Sequence, residues 1–402
     1  MNITIFPNDA LCGTLKAVPS KSFAHRALIC AALADNPTKL NNLFYSEDIL
    51  ATIDCLTALG ARFENGTVYP IERNNKASMP CELNCRESGS TLRFMLPLSL
   101  ALGGNFQFKM AGRLPNRPLE PLYGELVKMG CTLGKQGENP FCASGKLKRG
   151  IYTLPGNVSS QFITGLLLSL PLLDGDSEIR IEGKLESAPY VAITRSVLQN
   201  FGIKIEYENN TFFVSGGQVF HSPEDYTIEG DWSNAAFWLC ADKLSSGKIT
   251  CAGLNKLSVQ GDRQIVDILN RMPCEIDASD IPDLIPVISA VAAVTEGKTV
   301  IYNAKRLIIK ESNRLKAIFE LLSALGADIT LTDDGLIICG KPYLNGGTVD
   351  SFNDHRMAMT AAIASLKCKN QVTVTRAEAV KKSYPDFWND FKALGGNIKE
   401  EL

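Results

Sequence analysis

Histidine is scarce in this sequence: His25, His221 and His355 are the only three in 402 residues. The 12 cysteines are scattered, Cys81 and Cys85 lie closest together, and no CxxC occurs. Zinc centres need clustered Cys and His, so no metal site is expected. Free cysteines of this kind read as small buried hydrophobes in a reducing cytosol. An excess of either charge is also missing. The 41 Lys and Arg against 43 Asp and Glu leave a net charge of -2. That excludes a general attraction to nucleic acid or a membrane surface, and any anion site must be a local cluster of cations. Long apolar runs are absent as well. The stretch from Ile163 to Leu173 is too short to span a bilayer. The opening residues Met1 to Phe6 read as a strand and lack the basic-then-apolar order of a signal peptide.

What is present is a chain long enough for two cores. One phrase recurs through it: a helical stretch, a glycine, then a strand. It appears at Leu59-Gly60-Ala61, Met129-Gly130-Cys131, Phe201-Gly202-Ile203, Leu325-Gly326-Ala327 and Leu394-Gly395-Gly396. The glycine takes the left-handed conformation that ends a helix and lets the chain turn into a strand. One double-length gap has room for a sixth, degenerate copy, and Leu269 to Ile276 fits it without the glycine. Six units imply a repeat architecture, with three units before about residue 230 and three after it. The expected division is residues 1–19 plus 230–402 as one lobe and 20–229 as the other. Ligand sites favour the cleft between such lobes.

Helix starts in this chain are rich in residues that hold anions, since exposed N–H groups and the helix dipole favour negative charge there. Ser20 can cap a helix with Lys21 and Ser22 in its first turn and Arg26 one turn on. Glu87-Ser88-Gly89-Ser90 precedes an apolar run, and Gly89 would let a ligand reach the backbone. Ser159, Ser160 and Gln161 open another helix. Ser312 can cap a fourth, with Lys310, Glu311 and Arg314 around it. Asp354, His355 and Arg356 enter a stretch of small apolar residues, where a buried Asp354–Arg356 pair is the bland alternative to a ligand site. Arg117 and Lys382 lie in Pro-bearing loops, where a solvated charge is the alternative.

The ordered set SKSFAHRAL, ESGSTLR, NRPLEPL, NVSSQF, ESAPY, IPDLIP, KESNRL, NDHRMAM and KKSYPDF spans residues 20–388 and resembles the EPSP synthase family of enolpyruvyl transferases. The resemblance implies an α/β, two-lobed, inverse α/β barrel-like fold with three repeated βα units per lobe and the active site in the interlobe cleft. It implies transfer of the carboxyvinyl group of phosphoenolpyruvate to the 5-hydroxyl of shikimate 3-phosphate, in the shikimate pathway towards chorismate and the aromatic amino acids. No cofactor is implied, and the enzyme is expected to be a cytoplasmic monomer.

By matching motif, shikimate 3-phosphate would meet Lys21, Ser22, Arg26, Ser159, Ser160, Gln161, Ser187, Tyr190, Asp283 and Lys310. Phosphoenolpyruvate would meet Lys21, Gly89, Arg117, Gln161, Arg314, Arg356 and Lys382. Asp283 would be the general base and Glu311 the proton donor, with Lys21 sharing in proton transfer. The two substrates bring about five or six negative charges, by analogy with a phosphorylated side chain, and those seven cations answer them. Lys310 and Arg314 oppose the rise in pKa that Glu311 would need to act as an acid. Glu87 and Ser90 stand where the family often has Asn and Thr, and a family Asn before the Lys-Glu pair is not carried over to Asn303. The rival UDP-N-acetylglucosamine enolpyruvyl transferases typically carry a Cys in the loop that here runs from Ala111 to Asn116 without one. An RNA 3′-terminal phosphate cyclase would need a basic surface. A non-catalytic anion-binding scaffold would not need both Asp283 and Glu311.

Overall fold

The computed structural model describes residues 1–72 and 80–401. The chain forms two compact units, one of Met1–Val18 with Gly230–Leu402 and one of Pro19–Glu229. Each is built on its own hydrophobic core. Among the described residues, no helix is long and apolar enough to cross a membrane.

The continuous unit carries helices α1 (Lys21–Leu33), α2 (Glu47–Ala58), α3 (Gly89–Leu102), α4 (Leu122–Lys128), α5 (Ser160–Ser169) and α6 (Ala188–Asn200). Its three sheets repeat one topology. Strand Cys81–Asn84 passes through α3 to the parallel strand Gly104–Lys109, and α4 then leads to a hairpin whose arm Phe141–Gly145 adds antiparallel. Strands Ile151–Pro155 and Ser177–Glu182 do the same around α5, and α6 leads to the hairpin of Ile205–Glu208 and Thr211–Val214. In the third copy the first strand comes from the far end of the unit: Asp225–Thr227 lies parallel to Thr38–Asn41.

The discontinuous unit carries α7 (Trp232–Leu244), α8 (Ile265–Arg271), α9 (Ile285–Ala292), α10 (Arg314–Ala324), α11 (His355–Ser365) and α12 (Phe387–Ala393). Strands Glu275–Asp277 and Gly297–Tyr302 repeat the pattern with α9 and α10. So do Gly347–Asp350 and Val372–Thr375, where the N-terminal strand Asn2–Ile5 takes the antiparallel place between Val372–Thr375 and the edge strand Ile398–Glu401. The remaining copy is reduced to two parallel strands, Gly13–Lys16 and Ile249–Ala252. It is the copy that lacks the glycine. Met272, after α8, is extended (φ -62, ψ 140), and the chain runs directly into the next sheet. At the five other sites Gly60, Gly130, Gly202, Gly326 and Gly395 have φ between 80 and 105, which L side chains rarely adopt. The repeat is thus real, and the sheets are open ones rather than a closed barrel among the described residues.

Helices α3 and α5 are buried on almost every face and cross closely. A Cβ on Gly165 would lie 2.3 Å from the carbonyl oxygen of Arg93. Only glycine permits that approach, and it sets the first turn of α5 beside the first turn of α3.

Candidate active site

In the continuous unit the serine-bearing helix starts are capped as their sequences require. Ser20, Ser88 and Ser159 each turn a side-chain oxygen onto a backbone N–H of the turn that follows. Lys21, just inside α1, reaches Asp48 in the first turn of α2, with Nζ to Oδ2 at 2.8 Å.

Arg26 lies one turn on and is only 3% exposed. Its Nε donates to Thr194 Oγ1 at 2.7 Å and its Nη1 to the Ser22 carbonyl at 2.7 Å. Its Nη2 donates to Thr164 Oγ1 at 3.2 Å and to the Tyr190 carbonyl at 3.1 Å. The guanidinium carbon stands 5.1 Å from the centre of the Phe94 ring. None of these partners is a carboxylate. Burial without a counter-charge draws the arginine down from its usual value to about 9, which still leaves it a cation at neutral pH. A buried cation held only by neutral oxygens is a place where an anion gains most.

Gly89 opens α3, and the space where its Cβ would stand is taken by two guanidinium groups. Arg117 Nη1 would be 2.4 Å away and Arg93 Nη1 2.9 Å away. The Arg117 side chain makes no hydrogen bond or ion pair among the described residues, and its Nε is buried. Arg93 is tied down: Nη1 donates to Gln161 Oε1 at 2.8 Å and Nη2 to the Pro118 carbonyl at 3.0 Å. Gln161 in turn donates from Nε2 to Ser90 Oγ at 2.9 Å. Gly89, Ser90, Arg117 and Gln161 therefore form one polar group, and Arg93 is its centre. Ser187, 2% exposed, precedes α6 with φ 53, a left-handed conformation unusual for serine.

A buried chain of hydroxyls joins these helices. His25 Nδ1 lies 2.7 Å from Thr52 Oγ1, which lies 2.8 Å from Thr91 Oγ1, and Thr91 donates to Ser88 Oγ at 2.7 Å. Placing one proton per hydroxyl makes Thr52 the donor to Thr91, so His25 gives its Nδ1 proton to Thr52. That agrees with the lack of a partner at His25 Nε2 among the described residues. Burial, and then the charges of Lys21 and Arg26, hold His25 well below the usual histidine value, and it stays neutral.

In the discontinuous unit the charged residues gather around Arg314, which is 1% exposed. Its Nη1 donates to Asp283 Oδ1 at 2.8 Å, its Nη2 to Glu311 Oε2 at 2.7 Å and its Nε to Asp354 Oδ2 at 2.8 Å. Burial alone would lower its pKa, but the carboxylates of Asp354, Glu311 and Asp283 outweigh it and hold Arg314 well above the arginine norm. Arg356 donates to the Asp283 carbonyl and to its Oδ2, both at 3.1 Å. Lys310 Nζ lies 3.5 Å from Asp283 Oδ1, and burial lowers its pKa against that carboxylate's pull. Lys382 donates to the Asn353 carbonyl at 2.6 Å.

Two local readings of the sequence change. Asn313, not Ser312, caps α10, because the Ser312 hydroxyl is drawn to Asp354 Oδ2 at 3.0 Å. The Asp354 side chain pairs with Arg314, and its Oδ1 caps the backbone N–H of Arg356 at 3.0 Å. Sequence reasoning gave no role to Arg93, Asp48, Thr164 or Thr194. Arg93 carried a signal, being a charge inside the apolar run Leu92 to Leu96, where burial demands partners. The two threonines carried none.

The comparisons with known proteins agree along the whole chain. The family profile described as EPSP synthase (3-phosphoshikimate 1-carboxyvinyltransferase) matches residues 5–280 and 275–391. A protein of Clostridium acetobutylicum named 3-phosphoshikimate 1-carboxyvinyltransferase is 44% identical over 100% of this chain and 99% of its own. One of the same name from Clostridioides difficile is 42% identical over 99% and 98%. The solved structure of EPSP synthase from Acinetobacter baumannii covers 100% of both chains with a TM-score of 0.82 at 24% identity, which shows a shared fold. With its repeated βα units and its arginine-centred polar groups, this chain belongs to the EPSP synthase family.

Proposed function

We propose that this protein transfers the carboxyvinyl group of phosphoenolpyruvate to the 5-hydroxyl of shikimate 3-phosphate, giving 5-enolpyruvylshikimate 3-phosphate and inorganic phosphate. The observation that carries the reading is that Asp283 and Glu311, the two groups able to take and give a proton, both rest on the guanidinium of Arg314. Acid, base and cation thus form one preorganised set.

Lys21, Ser22, Arg26, Ser159, Ser160, Gln161, Ser187, Tyr190, Asp283 and Lys310 would hold shikimate 3-phosphate. Lys21, Gly89, Arg117, Gln161, Arg314, Arg356 and Lys382 would hold phosphoenolpyruvate. Its carboxylate and phosphate would take over the cations that Asp283 and Glu311 occupy in the resting protein. Freed of Arg314 and Arg356, Asp283 accepts the proton of the 5-hydroxyl as the oxygen bonds to C2 of phosphoenolpyruvate. Glu311 delivers a proton to the methylene carbon, with Lys21 able to share that step. The tetrahedral adduct then gives a proton from the new methyl group back to the Glu311 carboxylate, the bond between C2 and the bridging phosphate oxygen breaks, and phosphate leaves on the cations. The exchange of anions answers the opposition of Arg314 to Glu311 as an acid, because the substrate removes that contact before the proton moves. One C–O bond forms and one breaks with no change of oxidation state overall, the side chains supply acid, base and charge stabilisation, and no cofactor enters the scheme. The same reading takes the enzyme to be a monomer of the cytoplasm, working in the shikimate pathway.

The test is phosphate release from the purified protein. Release should require shikimate 3-phosphate and phosphoenolpyruvate together. Silence with that pair, and release when UDP-N-acetylglucosamine is the acceptor, would overturn the reading.

A further inference from the structure

An arginine has five N–H donors, and Arg26 spends four of them inside the fold, on Thr194, Thr164 and the carbonyls of Ser22 and Tyr190. Among the described residues, one N–H on Nη1 is left without a partner. Such an arginine cannot offer the two-pronged fork with which guanidinium groups usually grip phosphate or carboxylate.

The protons of the two threonines can be placed. Both hydroxyl oxygens accept from Arg26. They lie 2.8 Å apart, and Thr194 Oγ1 is also 3.1 Å from the Tyr190 carbonyl. With one proton each, Thr164 must donate to Thr194 and Thr194 to Tyr190. The chain has one direction, and both hydroxyls are fully buried. A threonine that merely returns its hydroxyl to the carbonyl four residues back is common in helices. Here the returned proton leaves the oxygen lone pairs aimed at a cation instead.

We infer that Thr164 and Thr194 are positioning residues for the acceptor substrate, fixing Arg26 so that it presents its charge and a single Nη1–H to one oxygen of shikimate 3-phosphate. This rests on the reading that places Arg26 at that substrate. Arg26 then acts as a buried, fixed charge that selects a single acceptor atom, and the phosphate must be gripped by other groups.

The test separates the two layers of the argument. Thr194→Val should raise the KM for shikimate 3-phosphate about tenfold or more, the effect of losing one hydrogen bond to a charged group. The KM for phosphoenolpyruvate and kcat should change far less. Thr194→Ser, which keeps the oxygen, should restore the affinity, and Thr164→Val should repeat the loss if Thr194→Val does not fold. Arg26→Lys keeps the charge without the four-bond clamp and should weaken shikimate 3-phosphate binding by calorimetry at least as much as Thr194→Val. Unchanged affinity in folded Thr194→Val, or equal losses in the Val and Ser variants, overturns the inference while leaving Arg26 at the substrate. Unchanged affinity in Arg26→Ala overturns the placement of Arg26, and the inference with it.

Discussion

Asp283 Oδ1 accepts a hydrogen bond from Arg314 Nη1 at 2.8 Å, and its Oδ2 accepts one from Arg356 Nη2 at 3.1 Å. The carboxylate holds the resting cations as a substrate anion would hold them in the loaded protein. Under the proposed reaction, Asp283→Ala removes two things at once, the base and an internal competitor. Turnover should fall by roughly 10²-fold or more, the usual share of general acid–base catalysis. Inorganic phosphate should inhibit at lower concentration, because Arg314, Arg356 and Lys310 lose a shared counter-charge. Steady-state rates with a phosphate series check both, and retained turnover or weaker phosphate inhibition would contradict the assignment.

Gly89 gives a sharper steric case. A methyl group there would stand 2.4 Å from Arg117 Nη1 and 2.9 Å from Arg93 Nη1, inside van der Waals contact. The Arg117 tip is the part able to move. Gly89→Ala should therefore leave the fold intact and swing Arg117 away. We expect the KM for phosphoenolpyruvate to rise about 10- to 100-fold, the loss of one charged hydrogen bond, with shikimate 3-phosphate binding little changed. Paired KM measurements on the variant decide it.

These two sites differ in how far the sequence foretold them. The glycines that end the repeat helices could be read because a left-handed residue is a local demand, and Gly60, Gly130, Gly202, Gly326 and Gly395 all have positive φ. The copy without its glycine was legible for the same reason. Caps at Ser20, Ser88 and Ser159 are local too. At Ser312 the local rule failed, since Asp354, 42 residues away, takes its hydroxyl. Partners of that kind depend on helix packing. Thr164 and Thr194 lie far from Arg26 along the chain, at separations of 138 and 168 residues, and look like ordinary helical threonines until α1, α5 and α6 are assembled.

His25 sets part of the acid limit of the fold. Its folded pKa is well below the 6.5 of the free side chain, through burial first and then Lys21 and Arg26. Between that lowered value and pH 6.5 the unfolded chain binds a proton that the folded chain refuses. Stability from this group therefore falls as pH drops below about 6.5, by up to about 1.4 kcal/mol per pH unit for one proton. His25→Asn keeps a donor for Thr52 and removes the titration. Its denaturation midpoints should fall less steeply than those of the parent between pH 7 and pH 5. Equal slopes would show that His25 is not a source of the acid limb.

Gly165 links packing to chemistry. Alanine usually favours a helix over glycine by about 1 kcal/mol, so propensity alone predicts that Gly165→Ala stabilises α5. The crossing with α3 reverses the sign. The new methyl would lie 2.3 Å from the Arg93 carbonyl oxygen and 2.9 Å from Pro97 Cγ, and neither a helix carbonyl nor a proline ring can rotate clear. Overpacking of this kind costs about 1–3 kcal/mol, enough to exceed the propensity gain. The two helices would have to part, and the 2.8 Å bond from Arg93 to Gln161 would lengthen. Gln161 is proposed to touch both substrates, so both KM values should rise together with a drop in melting temperature. A more stable Gly165→Ala with unchanged kinetics would mean that the close crossing is not what holds Gln161 in place.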